Sequence, residues 1–195
     1  MITDALMWKL NPDIVISNGF RFCPPLYVKP GEMADITVDY LYSMVPLDTA
    51  IITAEATGQQ IRDWLEKELE NVFAKDPTQR LGGWLVRFQG MKIRFSIEQK
   101  MGHRILEILV KDEKIDPAKT YRLVSCEREG DPPTLLCRMR DVKNNHKVGL
   151  AIHPVLEEYI GKHSPISPVT EGRVVATDAP PTLLTQVSGV NYQFR

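Results

Sequence analysis

The chain is poor in the residues that usually announce a self-contained active site. It has 3 cysteines, Cys23, Cys126 and Cys137, too few and too scattered for a disulfide scaffold or a zinc ribbon. Its 4 histidines, His103, His146, His153 and His163, stand apart from one another and from acidic clusters. Neither charge sign dominates: 24 Lys+Arg meet 25 Asp+Glu for a formal net charge of -1, which argues against a generic nucleic-acid binder whose phosphate contacts need a basic excess. No apolar run approaches the ~18 residues of a membrane span, and the amino terminus lacks the basic-then-apolar order of a signal peptide. The motifs of common hydrolases are missing too: no Gly-x-Ser-x-Gly elbow, no His-Glu-x-x-His, no Walker loop and no paired-cysteine site. The Asn-His pair at 145–146 has the wrong flanks for a metallophosphatase motif, and the carboxylates Glu127, Glu129 and Asp131 read as solvated. No catalytic residue and no metal ligand is assigned to this chain.

What is present is ordinary globular material, 195 residues with a 43% hydrophobic and 25% charged composition, enough for one domain that buries roughly 70% of its unfolded surface. The periodicities require a mixed α/β fold. Thr3 is placed to cap a short helix through Leu10, closed by Asn11-Pro12. The apolar run at 13–17 reads as a buried strand that opens into a long loop at 18–31 with Pro24, Pro25 and Pro30. Loops of that length in a compact domain are more often functional than idle. A second short helix starts after Asp35 or at Thr37 and ends near Pro46, and residues 49–57 form a strand leading into Gly58.

The strongest helical pattern follows. Ile61, Trp64, Leu65, Leu69, Val72 and Phe73 share one face, while Arg62, Asp63, Glu66, Lys67, Glu68 and Glu70 are expected to be solvated. Strands are predicted at 91–97, 105–110 and 121–125, with a turn at 111–114. Residues 128–147 read as irregular, 153–160 as an amphipathic helix and 172–177 as a last strand. The domain is expected to span 1–177, with a C-terminal tail at 178–195.

One pattern points to anion recognition. Asn18-Gly19-Phe20-Arg21 stands where a buried strand ends, the usual place for ligand groups in an α/β sheet. Glycine lets backbone amides approach closely, and an arginine fork binds a phosphate or sulfo group through two donors. Arg128, Arg138 and Arg140 lie in the other irregular segment and would complete a basic rim if the two loops meet.

The order of these local signatures resembles the carboxy-terminal domain of the 5′-nucleotidase family. The likeness is carried by Thr3-Asp4-Ala5 and its helix, Ser17-Asn-Gly-Phe-Arg21, and Gly31 followed by Ile36-Thr37-Val38 and Val45-Pro46. It continues through Ala54-Glu-Ala-Thr-Gly58 with Ile61 and Leu65, Gly82-Gly83-Trp84-Leu85, Gly90-Met91-Lys92-Ile93, Asp116-Pro-Ala-Lys-Thr-Tyr-Arg122 and Gly130-Asp131. The resemblance implies layered sheets with flanking helices that bind the non-reacting part of a small anionic, nucleotide-like substrate. It implies a separate amino-terminal metallophosphoesterase domain of the same parent chain, holding two divalent metal ions for phosphoester hydrolysis in nucleotide catabolism. It also implies a periplasmic or otherwise extracytoplasmic parent, with no cofactor in this chain.

The resemblance breaks at the base clamp. The family stacks a base between two aromatic rings, and the corresponding positions here are Leu47 and Arg128, so both rings are missing. Trp84 or Phe20 would have to supply a replacement face. Gly19-Phe20-Arg21, the insertion at 71–83 and Met101-Gly-His-Arg-Ile105 resemble instead the SoxB-like thiosulfohydrolase branch, which acts on a sulfonated carrier peptide. The substrate-binding set expected on either reading is Asn18, Gly19, Phe20, Arg21, Leu47, Trp84, Arg128 and Asp131. A free-standing binding module without catalysis fits the same substitutions.

Overall fold

In the computed structural model the described residues are 1–17, 26–29, 31–81, 87–167 and 171–179. In chain order they form α1 (Ile2–Leu10), β1 (Ile14–Ser17), α2 (Val38–Met44), β2 (Ala50–Thr57), α3 (Gly58–Phe73), β3 (Arg87–Gln89), β4 (Met91–Phe95) and β5 (Ile105–Val110). Then come β6 (Glu113–Lys114), β7 (Thr120–Cys126), β8 (Leu135–Leu136), β9 (Met139–Arg140), β10 (Lys143–Ala151), α4 (Ile152–His163) and β11 (Val174–Ala176). The fold is mixed α/β, as its periodicities predict.

A five-stranded sheet of order β10-β2-β7-β1-β3 forms the centre, and a four-stranded sheet of order β11-β4-β5-β6 lies beside it. In the central sheet β1 runs parallel to β7 and antiparallel to β3, while β2 is antiparallel to both β7 and β10. Both faces of this sheet are covered, which is why β1 is buried at every position rather than at alternate ones. Successive side chains divide the core: Val15, Ile51 and Val124 pack under α1, α2 and α4, while Ile14, Ile16, Ile52 and Leu123 join α3 and the second sheet. Gly90, between β3 and β4, has φ 88°, and a Cβ there would lie 2.1 Å from the Asp13 carbonyl oxygen, so only glycine makes this corner.

Several expectations need correction. Thr3 is not the cap of α1; it lies inside the helix and is buried. The stretch at 128–147 is not irregular, because it contains the β8–β9 hairpin and most of β10. β10 escapes a reading by periodicity because it is an edge strand with two register shifts, so its exposed polar run never alternates cleanly. The passage from strand through Thr57-Gly58 into α3 is as expected, with Thr57 accepting from the Gln60 N–H and the Gln60 side chain accepting from the Thr57 N–H.

The largest correction concerns the polar side of α3. Glu66 and Glu68 are only 3% and 2% exposed. Glu66 accepts the backbone N–H groups of Gly102 (2.8 Å), Arg104 (3.2 Å) and Ile105 (2.7 Å). Arg104, itself 2% exposed, donates Nε and Nη2 to Glu70 (3.1 and 2.8 Å), Nη2 to the Phe73 carbonyl and Nη1 to the Ile97 carbonyl. Glu68, on the other flank of the helix, takes a two-pronged contact from Arg138. The face that looks wet in the sequence is therefore clamped by segments distant along the chain.

At the carboxy end, Asp178 is tied back onto the turn after β4 by Ser96 Oγ and the N–H groups of Ile97 and Glu98. Where α1 meets α4, hydrogen bonds from Lys162 and Lys9 hold the Glu158 carboxyl down from an ordinary 4.5 to about 2.

These contacts can be tested by denaturation. Glu66→Ala strips three N–H groups of their acceptor, those of Arg104 and Ile105 in the interior, and should cost about 3–5 kcal/mol in urea unfolding. A loss below about 1 kcal/mol would show that the clamp is not structural. For Glu158, whose pKa is depressed on folding, the contribution is complete above pH 4.5 and is lost as pH falls toward 2. The urea midpoint should decline across that window, and the Lys9→Met/Lys162→Met variant should decline less steeply. An equal slope in both proteins would contradict the assignment.

Candidate functional site

Strand polarity brings the expected segments to one edge of the central sheet. β1 ends there at Ser17, and Arg87 at the start of β3 pairs with Ser17. β7 runs parallel to β1 and ends at Cys126, which pairs with Ile51 near the start of β2. The 45–49 corner before β2 and the 127–131 turn after β7 thus leave from neighbouring strand ends. Asn18, Gly19, Phe20, Arg21 and Trp84 lie outside the described residues.

The 128–131 turn is closed by the Asp131 N–H, which donates to the Arg128 carbonyl (3.1 Å). Gly130 occupies the left-handed position, φ 87°. Arg128 projects into solvent and meets the Asp131 carboxylate only loosely, Nε to Oδ1 at 4.0 Å. Beneath this turn lies a cleft of about 180 Å³. Its buried end is Ile52, Leu136 and Cys137; Glu127, Arg128, Asp131 and Pro132-Pro133 form one wall, and Asn145, His146 and Lys147 of β10 form the other. The walls are joined by Lys147 Nζ to Glu127 (2.9 Å) and by the Asn145 amide to the Pro133 carbonyl (2.9 Å). His146 contacts Thr53 Oγ1 at 3.1 Å through Nε2.

Leu47 is 68% exposed in the adjacent corner and is not among the residues lining the cleft. Arg138 does not join a basic rim, since it is spent on Glu68. His146 lies on a strand rather than in a loop. The residues that sequence reading misses are Asn145, Lys147 and Cys137. The first two depend on β10, which its own pattern does not reveal. Cys137 enters through the β8–β9 turn, where Cys137 and Arg138 adopt φ 47° and 69°, a conformation that favours glycine or asparagine. Three contacts hold it: Trp64 Nε1 to the Cys137 carbonyl (3.1 Å), Ser125 Oγ to Cys137 Sγ (2.8 Å), and Arg138 to Glu68.

Burial pushes the Cys126 thiol up to about 12 and the Cys137 thiol up to about 11. At neutral pH both stay protonated, so neither is a nucleophile. Among the described residues no three His, Cys, Asp or Glu side chains converge on a metal position. The two carboxylates of the cleft, Glu127 and Asp131, are engaged with cations. A polar ligand entering the cleft would meet both carboxylates already paired with cations.

The cleft of this mixed α/β domain opens at the carboxyl end of the parallel β1–β7 pair, the usual place for ligand groups in an α/β sheet. Residues 1–127 match the family described as "5′-nucleotidase, C-terminal domain", and the chain belongs to that family. It is 25% identical over 168 residues to the trifunctional nucleotide phosphoesterase protein YfkN of Bacillus subtilis, covering 83% of this chain and 11% of that one. It is 27% identical over 157 residues to an apyrase of Tabanus yao, covering 73% and 27%.

Among solved structures, the Thermus thermophilus sulfate thiohydrolase SoxB superposes with TM-score 0.72 at 21% identity, covering 92% of this chain and 31% of that one. The 5′-nucleotidase precursor of Thermus thermophilus gives 0.66 at 20%, covering 92% and 35%. These two likenesses establish the fold. The chain spans 11% and 27% of the length of these two curated relatives.

The buried thiols generate a prediction. Iodoacetamide at pH 8 should leave Cys126 and Cys137 unmodified in the folded protein and alkylate both in denaturant, as read by peptide mass spectrometry. Alkylation of either in the folded state at the rate of free cysteine would show that burial does not suppress its ionisation.

Proposed function

We propose that this chain is the substrate-binding domain of a two-domain, metal-dependent hydrolase, and that it positions the non-reacting part of a small anionic substrate. The observation that carries this reading is the family membership of residues 1–127. The shared sheet edge, from which the 45–49 and 127–131 segments leave, supports it. The domain proper is residues 1–177, with a tail from 178. On this reading an amino-terminal metallophosphoesterase domain holds two divalent metal ions, which supply the Lewis acid and the activated water. This chain contributes orientation and no bond cleavage. Arg21 and Asn18 contact the anionic or sugar portion, Phe20 or Trp84 offers a flat face, Gly19 allows close backbone approach, and Leu47, Arg128 and Asp131 form the opposite side. The printed name of the Bacillus subtilis relative, a nucleotide phosphoesterase, supports a phosphoester of a nucleotide as substrate.

A second reading is favoured by one observation. The described residues lining the cleft include no phenylalanine, tyrosine or tryptophan, and the exposed corner beside it carries Leu47. A cleft with charged and amide groups on its walls over an apolar floor, and no ring among its described lining residues, suits a sulfonated carrier peptide, as in the SoxB-like branch, better than it suits a stacked base.

The test is an NMR titration of the isotope-labelled chain with AMP and, separately, with a peptide bearing S-sulfocysteine. One of the two should shift Leu47, Arg128 and Asp131. Arg21→Ala and Arg128→Ala should each weaken binding about tenfold or more, the loss expected for one charge-assisted hydrogen bond. Unperturbed signals at all three positions with both ligands, or undiminished affinity in both variants, would refute the site. Without the metal domain the chain should not hydrolyse bis(p-nitrophenyl) phosphate in the presence of Mn²⁺.

A further inference from the structure

The proposed site includes an exposed corner at 45–48, and the structure shows what holds it. Val45 ends α2, Pro46 fixes one backbone angle, and β2 begins at Ala50. Between them the corner is anchored to the first turn of α4. Asp48 Oδ1 accepts the backbone N–H of His153 (2.9 Å), and the Thr49 carbonyl accepts the N–H of Ile152 (3.1 Å). Asp48 thereby satisfies an orphan donor at the start of α4 from a separate segment.

The His153 side chain makes the third anchor. It is buried, and its ring lies flat against Tyr42 of α2, with centroids 4.0 Å apart and planes at 16°. Its Nε2 is 2.6 Å from the Val45 carbonyl oxygen. A carbonyl only accepts, so Nε2 carries a proton and donates. That leaves Nδ1 to face Asp48 Oδ1 at 3.8 Å. In the neutral ring Nδ1 turns a lone pair toward a carboxylate. In the imidazolium it turns an N–H, and the ring then braces both ends of the corner at once. The charged and titratable groups around it are Asp48 from the corner, Tyr42 from α2, and Glu157 of α4, which accepts from the Tyr42 hydroxyl (2.8 Å).

We propose that His153 is a positioning residue: its proton on Nδ1 draws Asp48 toward the ring and so sets the attitude of the corner that presents Leu47. The proposal rests on the reading of Leu47 as part of the ligand site. It makes ligand binding responsive to pH through a residue that never touches the ligand. Imidazole is the side chain suited to this, because one ring nitrogen can donate to a carbonyl while the other gains or loses a proton.

The experiment needs no ligand for its first part. The Leu47 methyl signals and the His153 ring nitrogens of the full chain are followed by NMR from about pH 5 to about pH 8. Leu47 is expected to shift in step with the His153 ring. In Asp48→Asn the excursion should fall to about half or less, and in His153→Phe, which keeps the stacked ring without either nitrogen, it should vanish. His153→Gln, which keeps a donor for the Val45 carbonyl but cannot gain a charge, should fold as the parent does and also lose the excursion.

Leu47 signals that stay flat while His153 titrates overturn the proposal, as does an undiminished response in His153→Phe or His153→Gln. The second part adds AMP or the S-sulfocysteine peptide at the two ends of the range. If Leu47 follows His153 but neither ligand perturbs Leu47 at either pH, the coupling stands and the assignment of Leu47 to the ligand site fails. If a ligand perturbs Leu47 equally at both ends and the free protein shows no coupling, the site stands and the role of His153 fails.

Discussion

An arginine buried among carboxylates and carbonyls is the constraint around which this domain is arranged. Removing a guanidinium from water costs several kcal/mol unless its donors find acceptors, and Arg104 meets that cost with Glu70, Phe73 and Ile97. Its backbone N–H is bonded as well, to Glu66, together with those of Gly102 and Ile105. One helix side thus supplies two carboxylates and a terminal carbonyl to a single segment of the second sheet. The consequence is registry. Apolar packing alone tolerates sliding, whereas these bonds are satisfied at one placement of α3 against the start of β5. On the opposite flank Glu68 does the same for the β8–β9 turn through Arg138. The helix therefore links the second sheet to the hairpin that floors the cleft.

The cleft inherits its rigidity from that link. Cys137 and Arg138 hold left-handed backbone angles unusual for residues with side chains, at an energetic cost that the surrounding contacts must offset. Trp64 and Glu68, both on α3, are two of the groups that do so, with Ser125 of β7 the third. Placement of the cleft floor thus traces back to the same helix that Arg104 registers.

Much of this is legible from residue order alone, and the failures share one cause. Strands such as β2, β5 and β7 can be read within a residue or so because each is a short run rich in apolar and β-branched residues bounded by turn signals. The polar side of α3 misleads because Glu66, Glu68 and Glu70 at that spacing look like any solvated run. Nothing local announces that Arg104, Arg138 and the N–H groups at 102–105 will arrive from elsewhere to cover them. β10 escapes for a related reason: an edge strand with two register shifts owes its form to its neighbour β2, not to its own alternation. His153 looks isolated in the sequence because its partners, Val45 and Asp48, lie 108 and 105 residues earlier. Of the site, Arg128 and Asp131 are recognisable from their turn, while Asn145 and Lys147 depend on β10.

The charge pattern of the cleft bears on what kind of ligand suits it. Its two ion pairs differ in geometry. Glu127 and Lys147 are in direct contact at 2.9 Å and bridge the two walls, with the Lys147 side chain largely in water. Arg128 and Asp131 meet at 4.0 Å with the guanidinium largely in water, and exposed pairs of that kind contribute roughly 1 kcal/mol at most. On the proposed reading, a ligand competes with little when it replaces Asp131 as the partner of Arg128. An anion that takes the guanidinium leaves Asp131 free to accept from a hydroxyl or amide of the same ligand, on the other limb of the turn. A base stacked between two rings makes no use of such an exchange. A ligand carrying an anionic group beside a hydrogen-bond donor uses both halves of it, and that pairing occurs in a phosphorylated sugar and in a sulfonated peptide alike.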